Sequence, residues 1–325
     1  MSANTENTQE RQRELERAQG LILGLAIGDA LGRPAEFLSW SQIQDRFGPA
    51  GIQDLPESAI FTDDTQMTLA LAEALVSQGQ ADVDTLMGEV VRRFIDWKNG
   101  PDNDRGPGIT CMRAISRLEH GTSWTESGVR HSKGCGSAMR VAPVGYLYQH
   151  DANRLRTVAS ATGLATHAHP TANAACIAAA YLIKLALDGV KPEEYAEELA
   201  DFVAGLSDEL DMALERVVDA LDWPDQAEAM RTIGEGWVGE ETVALALYCL
   251  LRSPDDYRAV VLRAANSDGD SDSIACIAGG LAGVRLGIGA IPAEWSQRIE
   301  RREYLLDLAN RLAERKLGLV AQTTG

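Results

Sequence analysis

Ser267-Asp268-Gly269-Asp270-Ser271-Asp272-Ser273 is a tight acidic loop that runs straight into the apolar, small-residue stretch Ile274 to Leu286. Carboxylates at alternate positions with hydroxyls between them repel one another strongly near neutral pH unless something positive offsets them. A hard divalent cation does so. Capping the helix expected just after the loop uses one side chain, which leaves two aspartates over. Every donor is a carboxylate or hydroxyl oxygen, a set suited to magnesium, manganese or calcium rather than zinc. Counting excludes an EF-hand: with Asp268 first, the sixth residue is Ser273 instead of glycine and the twelfth is Gly279 instead of glutamate. Taken alone, the loop also fits an ordinary helix cap with solvated neighbours, so its meaning depends on what else the chain carries.

A second acidic helix start stands at Phe61-Thr62-Asp63-Asp64-Thr65, ahead of Met67, Leu69, Leu71, Ala72 and Leu75 at buried-helix spacing. Thr62 or Asp63 suffices as its cap, and again oxygen ligands are left over. Upstream, residues 1 to about 10 read as disordered, and a helix is expected from near Gln12 through Leu31. Gly20, Gly24 and Gly28 recur every fourth residue on one of its faces, where another backbone can pack closely. Gly32-Arg33-Pro34 ends that helix and Glu36 lies on the exit. Gly100 to Gly108 reads as a turn-rich loop containing Asp104. Lys133-Gly134-Cys135-Gly136-Ser137-Ala138-Met139-Arg140 places glycines before an expected helix start, where freed amides make a phosphate seat, although the segment is neither a P-loop nor a dinucleotide fingerprint. Thr166-His167-Ala168-His169-Pro170 puts two histidines at a spacing that cannot share one helix face, excluding an HExxH-type zinc pair. Further helices are expected at 84–97, 109–119, 171–187, 193–206, 208–221, 240–252, 255–265, 274–287 and 303–317. Period-two strands are scarce, so the fold class is all-α in one domain.

With 325 residues and 45% hydrophobic content the chain is ample for a buried core. Its 48 acidic residues against 30 basic give a formal charge of −18, which disfavours nucleic acid and anionic membrane as partners. Arg298, Arg301 and Arg302, the nearest thing to a basic cluster, alternate with Glu300 and Glu303 and read as a solvated face. Five scattered cysteines without a CxxC pair suggest neither a disulfide framework nor a zinc site, and a reducing, cytoplasmic setting is expected. The polar N-terminus lacks the features of a signal peptide, and the Leu21 to Leu31 run is interrupted by Asp29 and too short to span a bilayer.

Together, in order, Gly24-Leu25-Ala26-Ile27-Gly28-Asp29-Ala30-Leu31-Gly32 with Glu36, Thr62-Asp63-Asp64-Thr65, Gly134 to Arg140, Thr166-His167 and Gly269-Asp270-Ser271-Asp272-Ser273 resemble the ADP-ribosylglycohydrolase family over about residues 18 to 300. The resemblance implies a compact, single-domain orthogonal helical bundle with a central dinuclear site of two magnesium or manganese ions, spanning residues 18–325 after a polar N-terminal extension of residues 1–17. It implies hydrolysis of the bond between ADP-ribose and a modified protein side chain, ADP-ribosyl-arginine above serine. By position, Thr62, Asp63, Asp64, Asp270, Asp272 and Ser273 are implied metal ligands, with Asp64 also counted in the catalytic set. Gly134, Cys135, Gly136 and Ser137 are the implied phosphate loop, and His167 contacts ADP-ribose. Glu36 or Asp104 would relay the proton to the leaving group. Ser273 stands where the family commonly has threonine, and Cys135 where many members have asparagine. An ADP-ribosylated protein is the expected partner, with a toxin or target-protein partner as a further possibility for the N-terminal helix. The competing class is an ADP-ribose binder that has lost activity, and such a protein would be expected to have lost its metal carboxylates. A magnesium-dependent phosphohydrolase would leave the glycine loop and the Thr-His pair unexplained.

Overall fold

The computed structural model describes residues 3–319, with the backbone alone for residues 3–7. Both ends of the expected 1–17 and 18–325 division therefore lie outside the described residues. Among the described residues sixteen α-helices follow one another: α1 (Ala3–Gly32), α2 (Trp40–Phe47), α3 (Asp63–Gln78), α4 (Val83–Lys98), α5 (Ile109–Glu119), α6 (Ala142–Leu147), α7 (Ala152–Leu164) and α8 (Pro170–Asp188). The second half holds α9 (Tyr195–Val203), α10 (Asp208–Ala220), α11 (Gln226–Ile233), α12 (Gly239–Leu251), α13 (Tyr257–Ala265), α14 (Ser271–Leu286), α15 (Ala293–Arg298) and α16 (Arg302–Lys316). Among the described residues there is no strand, only two isolated bridges, Val129 with His167 and Gly134 with Val238. The molecule is a single all-α domain.

Two helices form its axis, and small residues are the reason. The α1 glycine stripe meets a matching stripe on α14 running antiparallel. A Cβ on Gly20 would stand 2.2 Å from the Gly283 carbonyl oxygen, one on Gly24 2.4 Å from that of Gly279, and one on Gly28 1.9 Å from that of Ala275. No side chain fits between these backbones. At the end of the seam, a Cβ on Gly32 would lie 2.4 Å from the Asp272 Cα, so the close crossing delivers the α1 C-terminus directly to the acidic loop. Residues 20–32 and 271–284 are buried all round, under α3, α8, α12, α13 and α16. The Tyr257 hydroxyl donates to the Gly24 carbonyl (2.8 Å), anchoring α13 across the seam. Burial on this scale, at roughly 25 cal/mol per Å² of apolar surface, is the dominant favourable term.

The first helix begins at Ala3 rather than near Gln12, so the segment expected to be disordered is, from Ala3 onward, continuous with the core helix. Among the described residues α8 alone is long and apolar enough to cross a membrane, and most of it is packed inside the protein.

Candidate active site

The acidic loop does not precede its helix; it is the helix start. α14 begins at Ser271, its N-cap is Asp270, and no side chain caps it. Asp270 and Asp272 are thus free of the duty that would explain them as capping residues. Asp268 is different: its carboxylate accepts from the Trp40 backbone N–H and pairs with Arg231 at 3.7 Å, which turns it away from the other two. The alternate spacing of three acids therefore yields two site carboxylates and one structural one.

The second acidic start is held by a residue outside the candidate site set. Asp29, fully buried in α1, accepts hydrogen bonds from the backbone N–H of Thr62 (2.9 Å) and Thr65 (3.0 Å) and from the Thr65 hydroxyl (2.5 Å). It satisfies amides that the first turn of α3 leaves open and fixes Asp63 and Asp64 against the α1–α14 seam. Its signal in the sequence was a single acid within the otherwise apolar, glycine-striped run Leu21 to Leu31. Thr62 is the N-cap of α3, its hydroxyl bound to the Asp64 N–H (3.4 Å) and Asp64 Oδ2 (3.3 Å).

Glu36, Asp63, Asp64, Asp270, Asp272 and Ser273 line one cavity of about 400 Å³ together with Gly134, Cys135, Gly136 and His167. Neither a lysine nor an arginine lines it. Burial pushes every carboxyl group in it upward, Glu36 to about 7 and Asp63 to about 8, with Asp64 and Asp272 also raised and neighbouring carboxylates adding to the effect. Asp270 shifts in the same direction through burial. One oxygen, Asp64 Oδ1, is buried and has no hydrogen-bond partner, which is costly unless something binds it. Among the described residues, no three His, Cys, Asp or Glu side chains already converge as a finished coordination shell. Yet hard oxygen donors, mutual repulsion and an orphaned carboxylate oxygen are what a divalent cation relieves, so the residues fit such an ion.

The loop before α5 closes one wall. The Gly108 N–H donates to Asp63 Oδ2 (3.2 Å), and the Arg105 guanidinium pairs with Glu300 while the Arg105 carbonyl accepts from the Asp63 N–H (3.3 Å). Asp104 is exposed on that loop and does not line the cavity. The two candidate relays are thereby separated: Glu36 faces the acids and Asp104 faces solvent.

The glycine loop is a short 3₁₀ turn, Cys135–Ser137, rather than the start of a long helix. Helix-dipole help is correspondingly small, and the seat rests on backbone amides. Ser137 is buried below the turn, its hydroxyl donating to the Ala172 carbonyl of α8 (3.3 Å), so it supports the loop without facing the cavity. The Cys135 thiol donates to Asp270 Oδ2 (2.9 Å) and stands 3.4 Å from the Ser273 hydroxyl. Burial and the Asp270 charge raise its pKa well above the usual thiol value, so it is held as a thiol.

Beneath the loop lies Arg140, fully buried and bonded to the carbonyls of Gly136 (2.5 Å) and Thr162 (2.9 Å) and to the Thr166 hydroxyl (2.7 Å). Because Arg140 donates to Thr166 Oγ1, that hydroxyl is free to donate to His167 Nδ1 at 2.8 Å. In the tautomer that accepts this hydrogen bond at Nδ1, the imidazole proton is on Nε2, on the side of Gly134 and Gly136. Burial, with the Arg140 charge, lowers the His167 pKa to about 3 and keeps the ring a neutral donor. Arg140 and Thr166, which stand in the Gly134 to Arg140 and Thr166-His167 motifs, orient His167 through contacts that no local sequence pattern reveals.

A sequence model of the family described as ADP-ribosylglycohydrolase matches residues 10–319. A protein of Archaeoglobus fulgidus whose own activity is uncharacterised is 32% identical over 95% of this chain and 99% of its own length. The ADP-ribosylarginine hydrolase Tri1 of Pseudomonas putida strain GB-1 is 30% identical over 94% of this chain and 80% of the relative. Among solved structures, an ADP-ribosylglycohydrolase-related protein complex superposes with a TM-score of 0.76 at 27% identity, covering 94% of this chain and 99% of that one.

Proposed function

The chain belongs to the ADP-ribosylglycohydrolase family, and from that premise we propose that it hydrolyses the bond between ADP-ribose and a modified arginine side chain with the help of two magnesium or manganese ions. The observation that carries this reading is the ring of desolvated carboxylates around one cavity, without a lysine or arginine among them and with Asp64 Oδ1 unsatisfied. Asp63, Asp64, Asp270 and Asp272, with the hydroxyls of Thr62 and Ser273, would hold the ions. Bound there, divalent cations would offset the repulsion between an acidic protein and an anionic ligand and supply Lewis acidity toward oxygen.

The chain's own groups divide the remaining work. The Gly134 to Gly136 amides and the His167 Nε2–H are neutral donors suited to a pyrophosphate. A guanidine departs poorly unless it is protonated. Glu36, pushed up to about 7 in the metal-free protein by burial and by the charges of Asp270 and Asp29, stands inside the cavity as the group placed to pass a proton. Its place in the cavity favours it over the exposed Asp104. The arginine linkage is supported by the similarity to Tri1, which is named an ADP-ribosylarginine hydrolase.

The test is release of free ADP-ribose from an arginine-ADP-ribosylated protein with magnesium or manganese, with chelator, and with Asp272→Ala. Metal-dependent release abolished by the substitution supports the reading. Folded, metal-loaded protein that releases nothing contradicts it.

A further inference from the structure

The two most exposed large apolar side chains among the described residues, Ile109 (80%) and Phe37 (70%), both stand on the rim of the acidic cavity, and Trp237 (37%) joins them. Ordinary surface scatter would not gather them around one opening. Phe37 is held there against its own preference. Its φ of 68° is in the left-handed region, unfavourable for a bulky residue. Two backbone hydrogen bonds clamp the segment, Phe37 N–H to the Gly269 carbonyl (2.9 Å) and Gly269 N–H to the Leu38 carbonyl (3.1 Å). The ring stacks on Trp237 with centroids 5.1 Å apart. Ile109 is the first residue of α5, immediately after the Gly108 amide that binds Asp63, so the contact that closes the cavity wall also sets Ile109 at its edge.

A cavity of about 400 Å³ admits a small group but not a polypeptide. The chain bearing that group has to stay outside, on the rim. From the placement of these three residues we propose that Ile109, Phe37 and Trp237 form the docking surface for the modified protein. The surface takes a segment that presents an apolar side chain beside the ADP-ribosylated residue. It suits a segment of net positive charge, because the chain as a whole carries a formal charge of −18. A few anchoring side chains buried on contact, aromatic ones above all, carry most of the energy of a protein interface. The inference rests on the hydrolase reading above, because it needs a polypeptide attached to the group in the cavity.

The test compares two substrates on the full-length, metal-loaded protein: free ADP-ribosyl-arginine, and a protein mono-ADP-ribosylated on arginine. The variants are Ile109→Ser and Phe37→Asn. The first changes a side chain that contributes little to the core, and the second places at φ 68° a residue that tolerates that conformation, so its thermal midpoint should not fall. On the modified protein, kcat/KM is expected to drop about tenfold, through KM, which is the loss of one anchoring side chain. On the free conjugate it should stay within about twofold, because no rim contact is used. Equal losses on both substrates, or none on either, overturn the docking surface. Wild-type protein inert on both substrates refutes the hydrolase reading, and the docking surface with it.

Discussion

Gly28→Ala tests whether the α1–α14 crossing sets the geometry of the site. The added Cβ would stand 1.9 Å from the Ala275 carbonyl oxygen, 2.7 Å from its carbonyl carbon and 3.3 Å from the Cys276 nitrogen. Ordinary contact lies near 3.5 Å, so the helices must part by about 1.5 Å. All three atoms are backbone, and no rotamer change relieves them. Overpacking costs about 1–3 kcal/mol, and a backbone-to-backbone clash belongs at the top of that range. Replacing a helical glycine by alanine returns about 1 kcal/mol of propensity, leaving a net loss of about 2 kcal/mol. At about 2.1 cal/mol/K per residue the unfolding entropy of this chain is about 0.7 kcal/mol/K, so Tm should fall by about 3 °C. Scanning calorimetry of the metal-free protein reads this directly. Gly88→Ala in α4, where a Cβ meets nothing within 4 Å, is the control and should raise Tm by about 1 °C. Because Asp29 adjoins Gly28 and Asp272 faces Gly32, the variant should also bind manganese more weakly. A Gly28→Ala protein as stable as wild type would refute the reasoning.

Asp29→Asn keeps an acceptor oxygen but sets an amide group against the donors of Thr62 and Thr65, and should cost about 1–3 kcal/mol in denaturant unfolding, more than the same change at exposed Asp104. With Glu36 raised to about 7 and Asp63 to about 8, the folded metal-free protein holds protons that the unfolded chain has released, so its stability should fall as pH rises from 6.5 to 8.5. Urea midpoints in chelator would show that decline and its flattening by magnesium; a midpoint that rises over the window contradicts it. Thr166→Val removes the hydroxyl that places the His167 proton on Nε2 and leaves an Arg140 N–H unpaired, so calorimetry should show ADP-ribose binding weakened about tenfold with manganese binding intact.

Periodicity was enough for the long helices. Ile109–Glu119 was legible to the residue, and 171–187 and 208–221 to within one residue at either end, because apolar spacing and capping residues agree there. Ala152–Leu164 escaped notice because its alanines, serine and threonines carry little amphipathic signal, and the short helices α2, α6, α11 and α15 offer too few turns for a period to show. The glycine stripe announced a close backbone partner, but its matching stripe could be identified only in space. The same division holds in the site. Acids surplus to capping stood out at Thr62–Asp64 and Asp270–Ser273, whereas Asp29 and Arg140 act through buried hydrogen bonds to segments 22 to 36 residues away, which no local pattern reveals. Asp104 was drawn in by its acidity and its loop, and the loop's fold leaves it facing solvent.

The most direct test of the central claim, that the carboxylates joining α1, α3 and α14 form a divalent-cation site, is calorimetric titration of the metal-free protein with manganese. Two ions per chain, with heat lost in both Asp64→Asn and Asp272→Asn while each variant remains folded, is the result expected. Wild-type protein that takes up no manganese, or binding that survives both substitutions, would contradict it.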